Sequence, residues 1–112
     1  MSLVKEQNLF LLDVVKLITF CTENDIIVTG GELFRTTEQQ AIYVQTGRSK
    51  TFNSKHLQRL AIDLNFFIDG ALVYDIDRLF KVGKYWESLS PQNSAGMFWK
   101  SFKDVPHFER RV

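Results

Sequence analysis

The sequence predicts an α+β fold, with helices packed on a small antiparallel sheet. Three observations lead there. Apolar residues recur at helical spacing near the start of the chain, the pair Asp69-Gly70 divides two apolar runs, and a second amphipathic stretch ends before Pro91. No internal repeat, low-complexity tract or linker interrupts this pattern, so residues 1–112 are expected to form one domain.

Over residues 5–23, Leu9, Leu12, Val15 or Lys16, and Phe20 mark a helical stripe that Leu11, Val14, Leu17 and Ile18 widen, predicting an amphipathic, largely buried helix. Met1-Ser2-Leu3 ahead of it has the look of a cloning scar. Asn24-Asp25 breaks the helix. The β-branched run Ile26-Ile27-Val28-Thr29 then predicts a short strand closed by Gly30-Gly31, with a second short strand or turn over 32–35. Thr36 or Thr37 supplies a helix cap, a glutamine three residues on closes the box, and this helix is expected to end at Gly47.

Residues 48–55 are polar and aperiodic, a loop that delivers His56 to a strand over 60–68. Asp69-Gly70 offers two residues that tolerate the positive φ of a tight hairpin turn, so "ALVYD" returns as an antiparallel partner. Asp75 or Asp77 caps a helix whose core face is Leu79, Val82 or Gly83, Trp86 and Leu89. Residues 92–96 are expected to be a loop, and Phe108 with its neighbours a final strand. In "MFWKSF", residues 97–102, the bulky apolar residues are expected in the core, with Trp99 the candidate for a groove.

A chain of 112 residues, 45% hydrophobic with ten Phe, can fill one core. A net charge of +1 gives no general attraction to nucleic acid or to an anionic membrane, so recognition must reside in a site. The single Cys21 excludes an intramolecular disulfide. The apolar run from Leu9 to Phe20 is interrupted by Asp13 and Lys16, is followed by no small-residue cleavage site, and is too short to span a bilayer. The expectation is cytoplasmic synthesis without a signal peptide and without stable membrane insertion.

Chemistry concentrates on the two histidines, His56 and His107, and on Asp63. Strand alternation over 60–68 sets Ala61, Asp63 and Asn65 on one face and Leu60, Ile62, Leu64 and Phe66 on the other. A carboxylate there needs a positive or donating partner. Two histidines and one aspartate match the three protein ligands of a catalytic zinc site. Ligand types alone leave other partners open: Arg59 or Arg35 for Asp63, and a backbone carbonyl for His107.

Two separated motifs narrow the choice. "SKHLQRLAIDL", residues 54–64, and "DVPHFE", residues 104–109, resemble the Ser-x-His-x-x-Gly-x-Ala-x-Asp and acid-x-x-His segments of the zinc D-alanyl-D-alanine carboxypeptidase and L-alanyl-D-glutamate endopeptidase family of peptidoglycan peptidases, phage endolysins included. "ELFRTTEQQ", residues 32–40, is similar to the arginine-bearing segment that precedes the first ligand. Two positions depart from the family pattern: Arg59 stands where glycine is usual, and Asp104 where many members have glutamate.

The resemblance implies a hedgehog/D-Ala-D-Ala-peptidase-like fold, zinc held by His56, Asp63 and His107, and Asp104 as the proton-transferring base; Glu109 is the rival base, because positions 107 and 109 of a strand point the same way. It makes Arg35 the residue that contacts substrate and steadies the oxyanion, with Arg48 as the alternative and Ser54 as a hydrogen-bonding neighbour. The implied activity is hydrolysis of an amide bond in the peptidoglycan stem peptide after release from the producing cell, with a holin or cell lysis opening the route. A D,D-carboxypeptidase, a zinc-containing wall-binding domain and a phage structural component are the alternatives.

Overall fold

The structure, a computed structural model, describes residues 2–51 and 53–112. Helix α1 spans Leu3–Glu23 and is capped by Ser2, whose side chain accepts a hydrogen bond from the Lys5 amide. Ser2 therefore works as a helix cap. Strand β1 (Ile27–Gly30) follows, then α2 (Thr37–Gln45) capped by Thr36, and a 3-10 turn at Lys55–Gln58 capped by Ser54. Strands β2 (Ala61–Ile68) and β3 (Ala71–Val73) form the hairpin, with Asp69 and Gly70 at φ of 52° and 80°. Helix α3 (Ile76–Ser88) is capped by Asp75. Strand β4 (Asn93–Ala95), a 3-10 turn at Gly96–Phe98 and β5 (His107–Arg110) complete the described chain.

The sheet is antiparallel, in the order β1-β2-β5-β4, with β3 pairing β2. Strand β2 is its centre. Its core face carries Leu64 and Phe66, joined by Phe108 of β5 and Ala95 of β4. Against that face lie Phe10, Val14, Leu17 and Cys21 of α1, and Leu79, Val82 and Trp86 of α3. Trp86 meets Phe10 and Phe108 edge-on, with ring centroids 5.6 and 5.8 Å apart, and its indole N–H donates to the Glu109 carbonyl. Helices α1 and α3 thus cover one face of the sheet and leave the face bearing Asp63 for the site.

Three expectations are corrected. The buried stripe of α1 is Phe10, Val14, Leu17 and Cys21, while Leu11, Leu12, Val15 and Ile18 are exposed. Apolar residues ring two sides of this helix. What decides its rotation is polar pairing: Glu6 is buried against Arg110 at 3.0 Å, and Asp13 accepts from the Asn93 amide at 3.1 Å. Residues 93–95, expected as loop, form β4 because they pair with β5, a tertiary ladder that Asn-Ser-Ala does not advertise. Residues 32–35 form neither a regular strand nor a turn. Their backbone instead extends the ladder, with the Asp63 amide donating to Glu32 and the Arg35 amide to His56. No helix is long and apolar enough to cross a membrane among the described residues.

Candidate metal centre

The site is assembled by the β2–β5 register. Asp63 lies opposite His107 and Ala61 opposite Glu109, and residues directly opposite in an antiparallel ladder share a face. Asp63, His107 and Glu109 therefore project together, away from Leu64 and Phe108. Gly31 lets the neighbouring chain come close on the other side: its amide donates to the Asp63 carbonyl at 2.8 Å, and a Cβ there would stand 2.9 Å from that oxygen.

His56 enters from the 3-10 turn. Ser54 accepts from its amide at 3.2 Å, and its Nδ1 sits 2.9 Å from the Leu33 carbonyl. A carbonyl only accepts, so Nδ1 carries the proton and Nε2 presents a bare lone pair. That Nε2 lies 3.3 Å from Asp63 Oδ1, and His107 Nδ1 lies 3.5 Å from the same oxygen. Ligand atoms of His56, Asp63 and His107 all fall within 4.8 Å of one another. His56 Nε2 and Asp63 Oδ1 are buried and without hydrogen-bond partners. Two orphaned buried acceptors aimed at one spot call for a cation between them. The donor set, two imidazole nitrogens and a carboxylate oxygen, fits zinc.

Electrostatics agree. Burial alone would raise the pKa of Asp63, yet the two imidazoles beside it, His107 and His56, hold it well below the usual carboxylate range. Burial would depress His107, but Asp63 and Glu109 on either side push it up to about 9. The carboxylates of Asp63 and Glu109 thus favour positive charge at this spot.

Glu109 does not face the Asp63 side of His107. Its Oε1 meets His107 Nε2 at 2.6 Å and its Oε2 receives the Arg111 Nε–H at 2.6 Å, so both oxygens are engaged. Those two partners outweigh burial and lower its pKa. Asp104 instead sits on the Nδ1 side, its Oδ2 3.9 Å away, with the side chain 42% exposed to the groove. Burial, reinforced by the charge of Asp63, raises its pKa against the pull of His107, His56 and Arg35.

All these residues line a groove of about 840 Å³. Arg35 and Ser54 line it too. Arg35 is pinned by Glu32, by Gln40 at 2.7 Å and by Ser54 at 3.4 Å. Arg48 stands over the Tyr43 ring at 4.6 Å. The aromatic segment divides: Met97 is fully buried in the core, whereas Trp99 and Phe102 line the groove, with Trp99 5.0 Å from the His107 ring. Sequence reasoning missed Gln40 and Tyr43. Gln40 is 1% exposed and bonds Arg35, Ser49 and the Thr51 carbonyl, tying the 48–51 loop to the site; a glutamine inside a helix gives no warning of that.

The family model for phage L-alanyl-D-glutamate peptidase matches residues 2–100, nearly the whole chain. The protein belongs to this family. The matched span of the phage peptidase family holds His56 and Asp63 but ends before Asp104 and His107, which the β2–β5 register brings alongside them. Among solved structures, the crystal structure of Serratia marcescens L-Ala D-Glu endopeptidase ChiX is similar, with a TM-score of 0.69 and 24% identity over 88% of this chain and 77% of that one. At that identity the likeness establishes a shared α+β fold. No curated protein sequence matches this family member.

Proposed function

We propose that the protein is a zinc-dependent peptidase that cleaves the L-alanyl-D-glutamate amide bond of the peptidoglycan stem peptide, acting as a lysin on the wall after release from the cell that makes it. One observation carries the metal: His56 Nε2 and Asp63 Oδ1 are buried, unpartnered and convergent with His107 Nδ1. Membership of the phage peptidase family supports the substrate.

His56, Asp63 and His107 would hold the ion. When bound, zinc supplies Lewis acidity, polarising a carbonyl oxygen and lowering the pKa of water to about 7. Asp104 accepts the proton of the attacking water on its carboxylate and returns it to the leaving amine. Its exposure to the groove and raised pKa suit a group that must both take and give a proton. Glu109 is the weaker base because both its oxygens are occupied; it fixes the His107 ring through Nε2, so that Nδ1 faces Asp63. Arg35 serves the developing oxyanion. Its guanidinium is already locked by Glu32, Gln40 and Ser54, so little reorganisation accompanies the reaction.

Elemental analysis of the native protein and of His56→Ala, with a digest of purified peptidoglycan, tests this reading. About one zinc per chain, lost in the variant, and newly exposed amino-terminal glutamate are the expected results. Release of free D-alanine would mark a carboxypeptidase instead, and binding without cleavage a wall-binding domain. A protein that takes up no zinc at neutral pH overturns the proposal.

A further inference from the structure

We propose that Arg48, held by Tyr43, forms a subsite that reads the free carboxyl group of the substrate's glutamate; this rests on the peptidase reading above. The groove lining holds six of the 14 Lys and Arg of a chain whose net charge is only +1, against four carboxylates, Glu32, Asp63, Asp104 and Glu109. Its three arginines are not equivalent. Arg35 is paired with Glu32 and Arg111 with Glu109, whereas Arg48 makes no ion pair among the described residues.

Arg48 is nevertheless held in place. Its backbone amide donates to the Tyr43 carbonyl at 2.8 Å, and Ser49 beside it is bonded by the buried Gln40 side chain at 2.9 Å. Its guanidinium carbon lies 4.6 Å from the Tyr43 ring centroid. The same ring carries Arg35, also at 4.6 Å, and Tyr43 Oη reaches Glu32 at 3.3 Å. One aromatic ring thus keeps the two guanidiniums within about 9 Å of each other. A glutamate inside a peptide keeps one carboxyl outside the backbone bond, a few bonds from its own amide nitrogen. The group that reads that carboxyl must stand near the one facing the scissile carbonyl, and a stacked, unpaired arginine offers the planar fork that a carboxylate accepts. Tyr43 acts as a positioning residue.

The test uses two synthetic peptides that differ only in that carboxyl, free in one and amidated in the other, with kcat and KM measured on zinc-loaded protein. The wild type is expected to favour the acid by roughly ten- to a hundredfold in kcat/KM, carried mainly by KM. In Arg48→Gln the preference should fall to near one, in Tyr43→Leu it should shrink, and in Tyr43→Phe, which keeps the ring, it should persist. Equal cleavage of both peptides by the wild type, or an undiminished preference in Arg48→Gln, overturns the subsite and leaves the peptidase reading intact. Cleavage of neither peptide overturns both.

Discussion

Gly96 joins β4 to the segment that carries Asp104 and His107, and it is where space most tightly couples the fold to the site. A Cβ at this position would stand 2.2 Å from the Asp104 carbonyl oxygen, 3.2 Å from its carbonyl carbon and 3.1 Å from His107 Cβ, against a floor of 3.0 Å that real Cβ atoms observe. The obstacle is backbone, not the end of a flexible side chain. In Gly96→Ala the Asp104 peptide must therefore retreat by about 1 Å. The Asp104 carbonyl also accepts the His107 amide at 3.1 Å, so the displacement passes to His107. A misplacement of about 1 Å in a catalytic group costs on the order of 100-fold in rate. Forcing one methyl group into a filled site costs roughly 1–3 kcal/mol. Gly96→Ala should thus lose about two orders of magnitude in kcat/KM while still unfolding cooperatively at a lowered Tm. Turbidity clearance of purified peptidoglycan, zinc content and thermal unfolding on one preparation supply the three readouts. Native kcat/KM with native zinc content in Gly96→Ala would refute both the steric reasoning and the role given to Asp104.

Asp63→Ala should remove zinc binding while leaving a cooperative thermal transition, checked by elemental analysis alongside circular dichroism; full zinc occupancy in the variant would remove Asp63 from the ligand set. Asp104→Asn should keep zinc and lose roughly 100- to 10,000-fold in kcat, and a variant with native turnover would exclude Asp104 as the base. Glu109→Gln should weaken zinc affinity by roughly 10- to 100-fold and recover turnover when zinc is saturating, whereas lost turnover at full occupancy would make Glu109 the base. In chelator, His107 contributes stability that is fully present below its unfolded value of 6.5 and is lost as pH rises through about 9, a loss of roughly 3 kcal/mol. Asp63 acts in the opposite sense, its contribution present above 3.8 and lost only in strong acid. The chelated protein should therefore melt highest between about pH 4 and 6.5 and lower at pH 9, and a Tm that rises over that alkaline range would contradict the His107 environment.

The part of the site that lies on β2 is legible because strand period fixes it. Asp63 alternates with Leu64, and the hairpin at Asp69-Gly70 anchors the register through its turn chemistry. Pairing across long sequence separations is not local information. Strand period alone puts His107 and Glu109 on one face, but that Asp63 shares it depends on β5 lying against β2, and nothing within "DVPHFE" reveals that Nε2 will meet a carboxylate held by Arg111. The rotation of α1 is hidden for a related reason. Leucines occupy more than one side of the helix, and the decision falls to Glu6 and Asp13, whose partners Arg110 and Asn93 lie 104 and 80 residues away. Likewise "MFWKSF" is uniformly bulky, yet a 3-10 turn at Gly96–Phe98 sends Met97 into the core and Trp99 towards His107.

Arg59 separates what the family motif requires from what it merely contains. The residue after the 3-10 turn that carries His56 has φ of 56° and ψ of 37°, the left-handed region where glycine has no steric penalty. The usual glycine at this place in the motif therefore answers a backbone requirement, and any residue that adopts the conformation preserves the path from His56 to Asp63. Arginine does so at a cost of roughly 1–2 kcal/mol. Part of that is offset by its guanidinium, which lies 4.0 Å from the centroid of the Phe34 ring, a contact glycine cannot make. The Arg59 amide still donates to the His56 carbonyl and the Leu60 amide to Lys55, so the turn closes and Ala61 and Asp63 keep their register with Glu109 and His107. Arginine here alters the outer surface of the turn and leaves the path from His56 to Asp63 unchanged.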